Sequence, residues 1–212
     1  MNFLKIRKEG HLCWVTMNRP QSINALNTEL LTELTEFNNA LRNDLNTRVV
    51  IFRGQGGNFS SGVDLKEDIK PKSKLASWRS NFGKPLIHSI LNIDQITIAS
   101  IEGYCLGGAA CMASACDFRI ATKESKLGYP EIDLGINLNW LGLPLAVRLI
   151  GPSRAKKMVI GGSHEGSETL FSWGFYDEVC NSEELDELTE QIASFYASKP
   201  PMAAQMIKRS VN

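Results

Sequence analysis

The sequence has no excess of either charge: Lys plus Arg equals Asp plus Glu at 23 each. The basic residues are scattered rather than gathered into a stripe, which excludes the electrostatic footprint of a nucleic-acid binder. No uninterrupted apolar segment reaches the roughly 18 residues that a membrane-spanning helix needs. The opening decapeptide "MNFLKIRKEG" carries charges and lacks an apolar core of signal-peptide length. The chain is therefore expected to be soluble, unexported and cytoplasmic, with neither nucleic acid nor membrane as partner. Cysteine is sparse and odd in number: Cys13, Cys105, Cys111, Cys116 and Cys180 lie mostly in apolar runs and form no CxxC pair. That excludes a disulfide framework or zinc site and leaves reduced, buried thiols. Low-complexity tracts, internal repeats and linkers are also missing, so residues 1–212 read as one domain with a sizeable core.

What is present alternates between two periods. "FLKIRKEGHLCWVTMN" has the alternation of a hairpin turning at Glu9-Gly10. Asn27 then caps a run with Leu30, Leu34, Phe37 and Leu41 at helical spacing, and "VVIFRG" is a short β-branched strand closed by glycine. A second strand-helix unit follows, with a helix in "SNFGKPLIHSILNID", a buried strand in "ITIASIEG", an apolar helix behind the Gly107-Gly108 pair and a strand in "FRIAT". These predict a partly parallel sheet covered by helices. Beyond Gly151 the pattern is helical throughout: Pro152 starts one helix, Glu183 to Ala197 is amphipathic and Pro201 opens the last. The polar stretch from Lys66 to Trp78 lacks a firm period and is expected to be a mobile loop.

Two turns and one carboxylate are the candidates for chemistry. A strand that passes directly into a helix leaves the first helical N–H groups unpartnered at the positive end of the helix dipole. Gly107 and Gly108 stand at such a turn, and "GNFSSGVDLKE" offers a second one, presenting an N–H between Ser61 and Val63. Converging, the two would form an oxyanion hole; alternatively, both glycine turns serve only close helix-to-strand packing. Glu131 follows Tyr129-Pro130 among Leu127, Ile132, Leu134 and Ile136. Buried there it would have a raised pKa and exchange protons near neutrality; in a turn facing solvent it would be an ordinary glutamate. Asp133 is the member of the pair expected to be exposed.

Together these segments resemble the crotonase superfamily, the enoyl-CoA hydratase and isomerase family. The resemblance runs in order through "NRPQSINALN", "GNFSSGVDLKE", "IEGYCLGGAACMASACDFRIA", "KLGYPEIDLGI", "RLIGPSRAKKMVIGG" and "ETLFSWGFYDEV". It implies an α/β spiral of repeated strand-strand-helix units with a helical C-terminal part, binding an acyl-CoA thioester as substrate with no cofactor and no metal. By position, the N–H groups of Val63 and Gly108 would hold the thioester oxygen beside Gly107. Ser61, Gly62, Asp64, Leu65 and Lys66 would line the adenine and pantetheine side, with Ser22, Ile23 and Ala25 across from them.

The departures from the family pattern carry more information about function. Hydratases of this family use two glutamates, and only the second is present here, as Glu131. Cys111 occupies the first position and reads as small, apolar and inert. The mitochondrial 3,2-enoyl-CoA isomerase type of this family similarly keeps only the later glutamate, with an apolar residue at the earlier place, and one base suffices to lift a proton from C2 and return it at C4. "INLNWLGLPL" replaces the usual glycine-rich segment and puts Trp140 where it would reshape the acyl pocket. The resemblance thus implies an enoyl-CoA isomerase, with hydration, decarboxylation or non-catalytic acyl-CoA binding as alternatives. His11, His88 and His164 match no site position. The family's further C-terminal helices, which pack on a neighbouring subunit, have no counterpart after "PPMAAQMIKRSVN", which leaves the family trimer as an open expectation.

Overall fold

The computed structural model describes residues 1–67 and 83–212. From position 68 onward, the polar stretch expected to be a loop lies outside the described residues. The chain opens with the expected hairpin: β1 (Leu4–Glu9) and β2 (Leu12–Met17) pair antiparallel, Leu4 opposite Met17 and Glu9 opposite Leu12. Asn27 caps α1 (Thr28–Ala40), its side-chain oxygen accepting the Leu30 N–H at 3.0 Å, as the N-terminal donors of a helix require. Strand β3 (Val49–Gly54), helix α2 (Gly83–Leu91), strand β4 (Ile96–Ile101), the short strand β5 (Tyr104–Leu106) and helix α3 (Gly108–Ala115) follow. Every residue of α3 is buried. Next come β6 (Phe118–Thr122), β7 (Lys126–Gly128), a 3-10 turn over Pro130–Leu134 and α4 (Gly142–Gly161). Gly151, with φ 78° and ψ 163°, breaks α4 just before Pro152, so Pro152 does open a helical segment.

The tail departs from the all-helical reading. Strands β8 (His164–Gly166) and β9 (Glu178–Cys180) lie among α5 (Ser167–Ser172), α6 (Leu185–Ala197) and α7 (Pro201–Val211). Three-residue strands have too little sequence to show a period of two, and their pairing is a backbone matter. Their place is set from elsewhere: the buried Arg119 donates to the Phe175 carbonyl at 2.6 Å and to Asp177 Oδ2 at 3.0 Å, holding the approach to β9 against β6.

Two sheets result. The larger has the order β1-β2-β3-β4-β6-β9, parallel from β2 onward, and the smaller has the order β5-β7-β8. Two successive turns of the chain each place one strand in the large sheet, one in the small sheet and then a helix, β4-β5-α3 and β6-β7-α4. The main core lies between the large sheet and helices α1 to α4, with Phe52, Phe59, Leu86, Ala109 and Tyr129 fully buried. A second core around Trp14, Ile51, Ile98 and Ile120 is covered by α6. All five cysteines are buried and free. No helix among the described residues is long and apolar enough to cross a membrane.

Candidate active site

The spiral brings the two glycine turns side by side. Gly107 adopts φ 54° and ψ −121°, a backbone that side chains rarely permit, and this sharp corner turns β5 into α3. Its own N–H donates to the Gly128 carbonyl at 2.9 Å, which leaves the following N–H of Gly108 at the free positive end of α3. The second turn is held by backbone pairing to the stretch before α1. The Leu26 N–H donates to the Gly62 carbonyl at 2.8 Å and the Asp64 N–H to the Leu26 carbonyl at 3.1 Å. In such a parallel bridge the intervening residue, Val63, directs its N–H to the opposite side. Neither the Val63 nor the Gly108 N–H has an acceptor among the described residues. The turns touch: a β-carbon on Gly62, where φ is +90°, would stand 2.6 Å from the Leu106 carbonyl oxygen and 3.5 Å from the Gly108 nitrogen.

Glu131 joins them from the 3-10 turn. A β-carbon on Gly107 would lie 2.9 Å from Glu131 Oε1, so the carboxyl group rests against the glycine corner itself. Its other oxygen, Oε2, is buried and has no hydrogen-bond partner among the described residues. Burial pushes the Glu131 pKa above the ordinary glutamate value, opposed by a backbone hydrogen bond. The turn is anchored by the preceding Tyr129, fully buried, whose hydroxyl lies 2.6 Å from Ser114 Oγ on α3. The apolar neighbours that the sequence offers for this burial are not the ones that supply it. Leu127 is buried, but Ile132, Leu134 and Ile136 are 45 %, 55 % and 51 % exposed, because the 3-10 turn directs them outward while Glu131 points in. Asp133 is exposed, as expected.

Cys111 sits one turn into α3, wholly buried, with its sulfur so close to Gly142 at the start of α4 that a β-carbon there would stand 2.5 Å away. Burial, and then the nearby Glu131 charge, push this thiol well above the ordinary range, so it neither donates nor accepts protons near neutrality. Trp140 lies over Gly108: a β-carbon there would strike the indole, 2.5 Å from Cζ3. The space beside the Gly108 α-carbon is therefore occupied by a side chain.

The remaining predicted positions form two facing stretches. Ser22, half-buried, Ile23, exposed, and Ala25, buried, lie opposite Ser61 to Lys66, and the Ser61 N–H donates to the Ile23 carbonyl at 2.9 Å. Val63 and Leu65 are 41 % and 73 % exposed and Lys66 is exposed, whereas Asp64 turns inward. Its Oδ2 accepts both Nη groups of Arg19 at 3.0 Å, and Arg19 also donates to the Ala25 carbonyl. The sequence reading gave no role to Arg19 or to the buried Asn24, which accepts the Arg19 N–H and donates to the carbonyls of Gln55 and Asn58. Their only signal is their place inside "NRPQSINALN". His11 is bound to the Asn46 carbonyl at 2.8 Å, His88 lies on α2, and His164 on β8 packs against Gly128, the residue that accepts the Gly107 N–H.

Two N–H groups without acceptors among the described residues, on adjoining turns beside a carboxylate with a buried oxygen, are the parts with which a site can hold a carbonyl oxygen while a proton moves nearby. The enoyl-CoA hydratase/isomerase family model matches residues 7–212, and the chain belongs to that family. It is 29 % identical over 214 residues to the short-chain-enoyl-CoA hydratase of Clostridium acetobutylicum, covering all of this chain and 82 % of that one. It is 30 % identical to the crotonyl-CoA hydratase of Syntrophomonas wolfei, covering 98 % and 80 %. The crystal structure of an enoyl-CoA hydratase from Bacillus anthracis superposes with a TM-score of 0.94 at 30 % identity, covering 99 % of this chain and 82 % of that one.

Proposed function

We propose that the protein is an enoyl-CoA isomerase that moves the double bond of a 3-enoyl-CoA into position 2. The observation that carries this reading is that Glu131 is the one carboxylate at the glycine corner among the described residues. Glu131 sets Oε1 against the glycine corner and keeps Oε2 buried without a partner among the described residues, and the position from which a second acid would hold water is filled by the inert Cys111. The thioester oxygen accepts from the Val63 and Gly108 N–H groups. Ionised Glu131 takes a proton from C2, the negative charge spreads to the held oxygen, and the same carboxyl returns the proton at C4. Atoms and charge balance with no water consumed. The donors are fixed by the backbone before substrate arrives, and removing one such donor typically costs about 10²–10³-fold in rate. Ser22, Ile23, Ala25, Ser61, Gly62, Leu65 and Lys66 flank the path of the CoA moiety, and Asp64 holds that wall in place through Arg19. The reaction needs no redox cofactor or metal; the CoA thioester is itself the substrate.

Hydration is the second reading, favoured by the names of the relatives, two of which are hydratases of short or crotonyl thioesters. Separate incubations with 3-butenoyl-CoA and crotonyl-CoA distinguish the two by product. The isomerase reading expects crotonyl-CoA from the first and little 3-hydroxybutyryl-CoA from the second; rapid hydration of crotonyl-CoA would overturn it.

A further inference from the structure

Trp140 touches both helix starts beside the site. Three atoms of its six-membered ring lie over Gly108, where a β-carbon would stand 2.5 Å from Cζ3, 2.9 Å from Cε3 and 3.0 Å from Cη2. The fused edge lies over Gly83, the first residue of α2, where a β-carbon would stand 1.7 Å from Cε2 and 1.8 Å from Cδ2. The indole therefore lies between Gly83 on α2 and Gly108 on α3, against both glycines. The backbone is held to deliver it there. Leu141, directly after Trp140, adopts a left-handed φ of 60°, a conformation that costs a non-glycine residue free energy and persists only where surrounding packing enforces it.

We infer that the acyl chain of a thioester held by the Gly108 N–H, with C2 turned to Glu131 at Gly107, extends past the Gly108 α-carbon toward Gly83, and that Trp140, whose ring lies against both glycines, closes this path and restricts the enzyme to short acyl groups such as butyryl. The inference rests on the acyl-CoA reading above and adds the chain length. Trp140 is a specificity-determining residue, not a base or an acid: its ring lies against the Gly108 α-carbon and takes the space on that side.

The test compares wild type with Trp140→Ala and the larger Trp140→Leu, each first shown to unfold cooperatively. Calorimetric titration with butyryl-CoA and octanoyl-CoA reads chain length without relying on turnover. An open apolar channel tightens binding about fourfold for each buried methylene. Wild type should gain nothing from the four extra methylenes, and the variants should bind octanoyl-CoA at least tenfold more tightly than butyryl-CoA. Turnover should follow, with the ratio of kcat/KM for 3-octenoyl-CoA over 3-butenoyl-CoA rising by a similar factor. A wild type that already prefers octanoyl-CoA by tenfold, or a ratio unchanged in whichever variant folds, overturns the inference while leaving the acyl-CoA reading intact. Failure of wild type to bind either thioester overturns both.

Discussion

An ionised Glu131 costs folding free energy because its carboxylate is withdrawn from water and one oxygen lacks a partner among the described residues. Its folded-state pKa lies above the unfolded value, so the protonated form contributes stability that is fully present below the unfolded pKa and is lost as pH rises through the folded one. Glu131→Gln removes that cost. The variant should melt at a higher temperature than wild type at pH 7, with the difference closing by pH 4, where wild type is protonated too. Thermal unfolding at the two pH values checks this, and a variant less stable than wild type at pH 7 would contradict it. Glu131 was legible as a candidate because a carboxylate after Tyr129-Pro130 amid apolar residues invites burial. The source of the burial was not legible: three of those apolar residues face solvent, and the glycine corner and α3 shield the carboxyl instead. Asn24 and Arg19 escaped notice because their partners are backbone carbonyls and a carboxylate 45 positions away.

The two turns work as a pair only while each keeps its shape. Gly107→Ala would put a β-carbon 2.9 Å from Glu131 Oε1 on a backbone at φ 54°. It should lower stability by about 1–3 kcal/mol and lower kcat more than it raises KM, as denaturant unfolding and steady-state kinetics would show; an unchanged kcat would mean that the corner does not aim the donor. Arg19→Met tests the other turn. It leaves Asp64 without its bidentate partner, next to the Val63 donor. Turnover should fall about tenfold to a hundredfold, with acyl-CoA affinity changed less and partial rescue by Arg19→Lys; equal losses in Arg19→Met and Arg19→Lys of affinity alone would show that Arg19 only shapes the CoA path. Helix α1 and its Asn27 cap, strands β1 to β4 and β6, and the start of α3 could all be read from period and capping. Strands β5, β7, β8 and β9 could not, since each has three residues and is defined by what it pairs with.

Across the whole molecule, the spiral sets the site by stacking turns whose ends meet, and its C-terminal part is fastened by buried charge. Lys208 on α7 donates to Asp117 Oδ2 at 2.6 Å and to the Gln95 carbonyl at 2.8 Å, tying the last helix to β4 and to the turn before β6. Lys208→Ala should cost about 3 kcal/mol by leaving Asp117 without its cation, measured by denaturant unfolding, with no change in the chain-length preference of the enzyme; a loss under about 0.5 kcal/mol would show that Lys208 does not fasten α7. The sequence put Lys208 on the last helix, but only the fold reveals that it is 6 % exposed. The claim that joins these scales is that one carboxylate, beside two backbone donors, moves the double bond. It is tested most directly by the turnover of 3-butenoyl-CoA to crotonyl-CoA by wild type and by Glu131→Gln, with butyryl-CoA affinity measured on both. The account predicts a loss of about 10²–10⁴-fold in kcat with affinity held within a few fold; a Glu131→Gln enzyme that turns over at nearly the wild-type rate would contradict it.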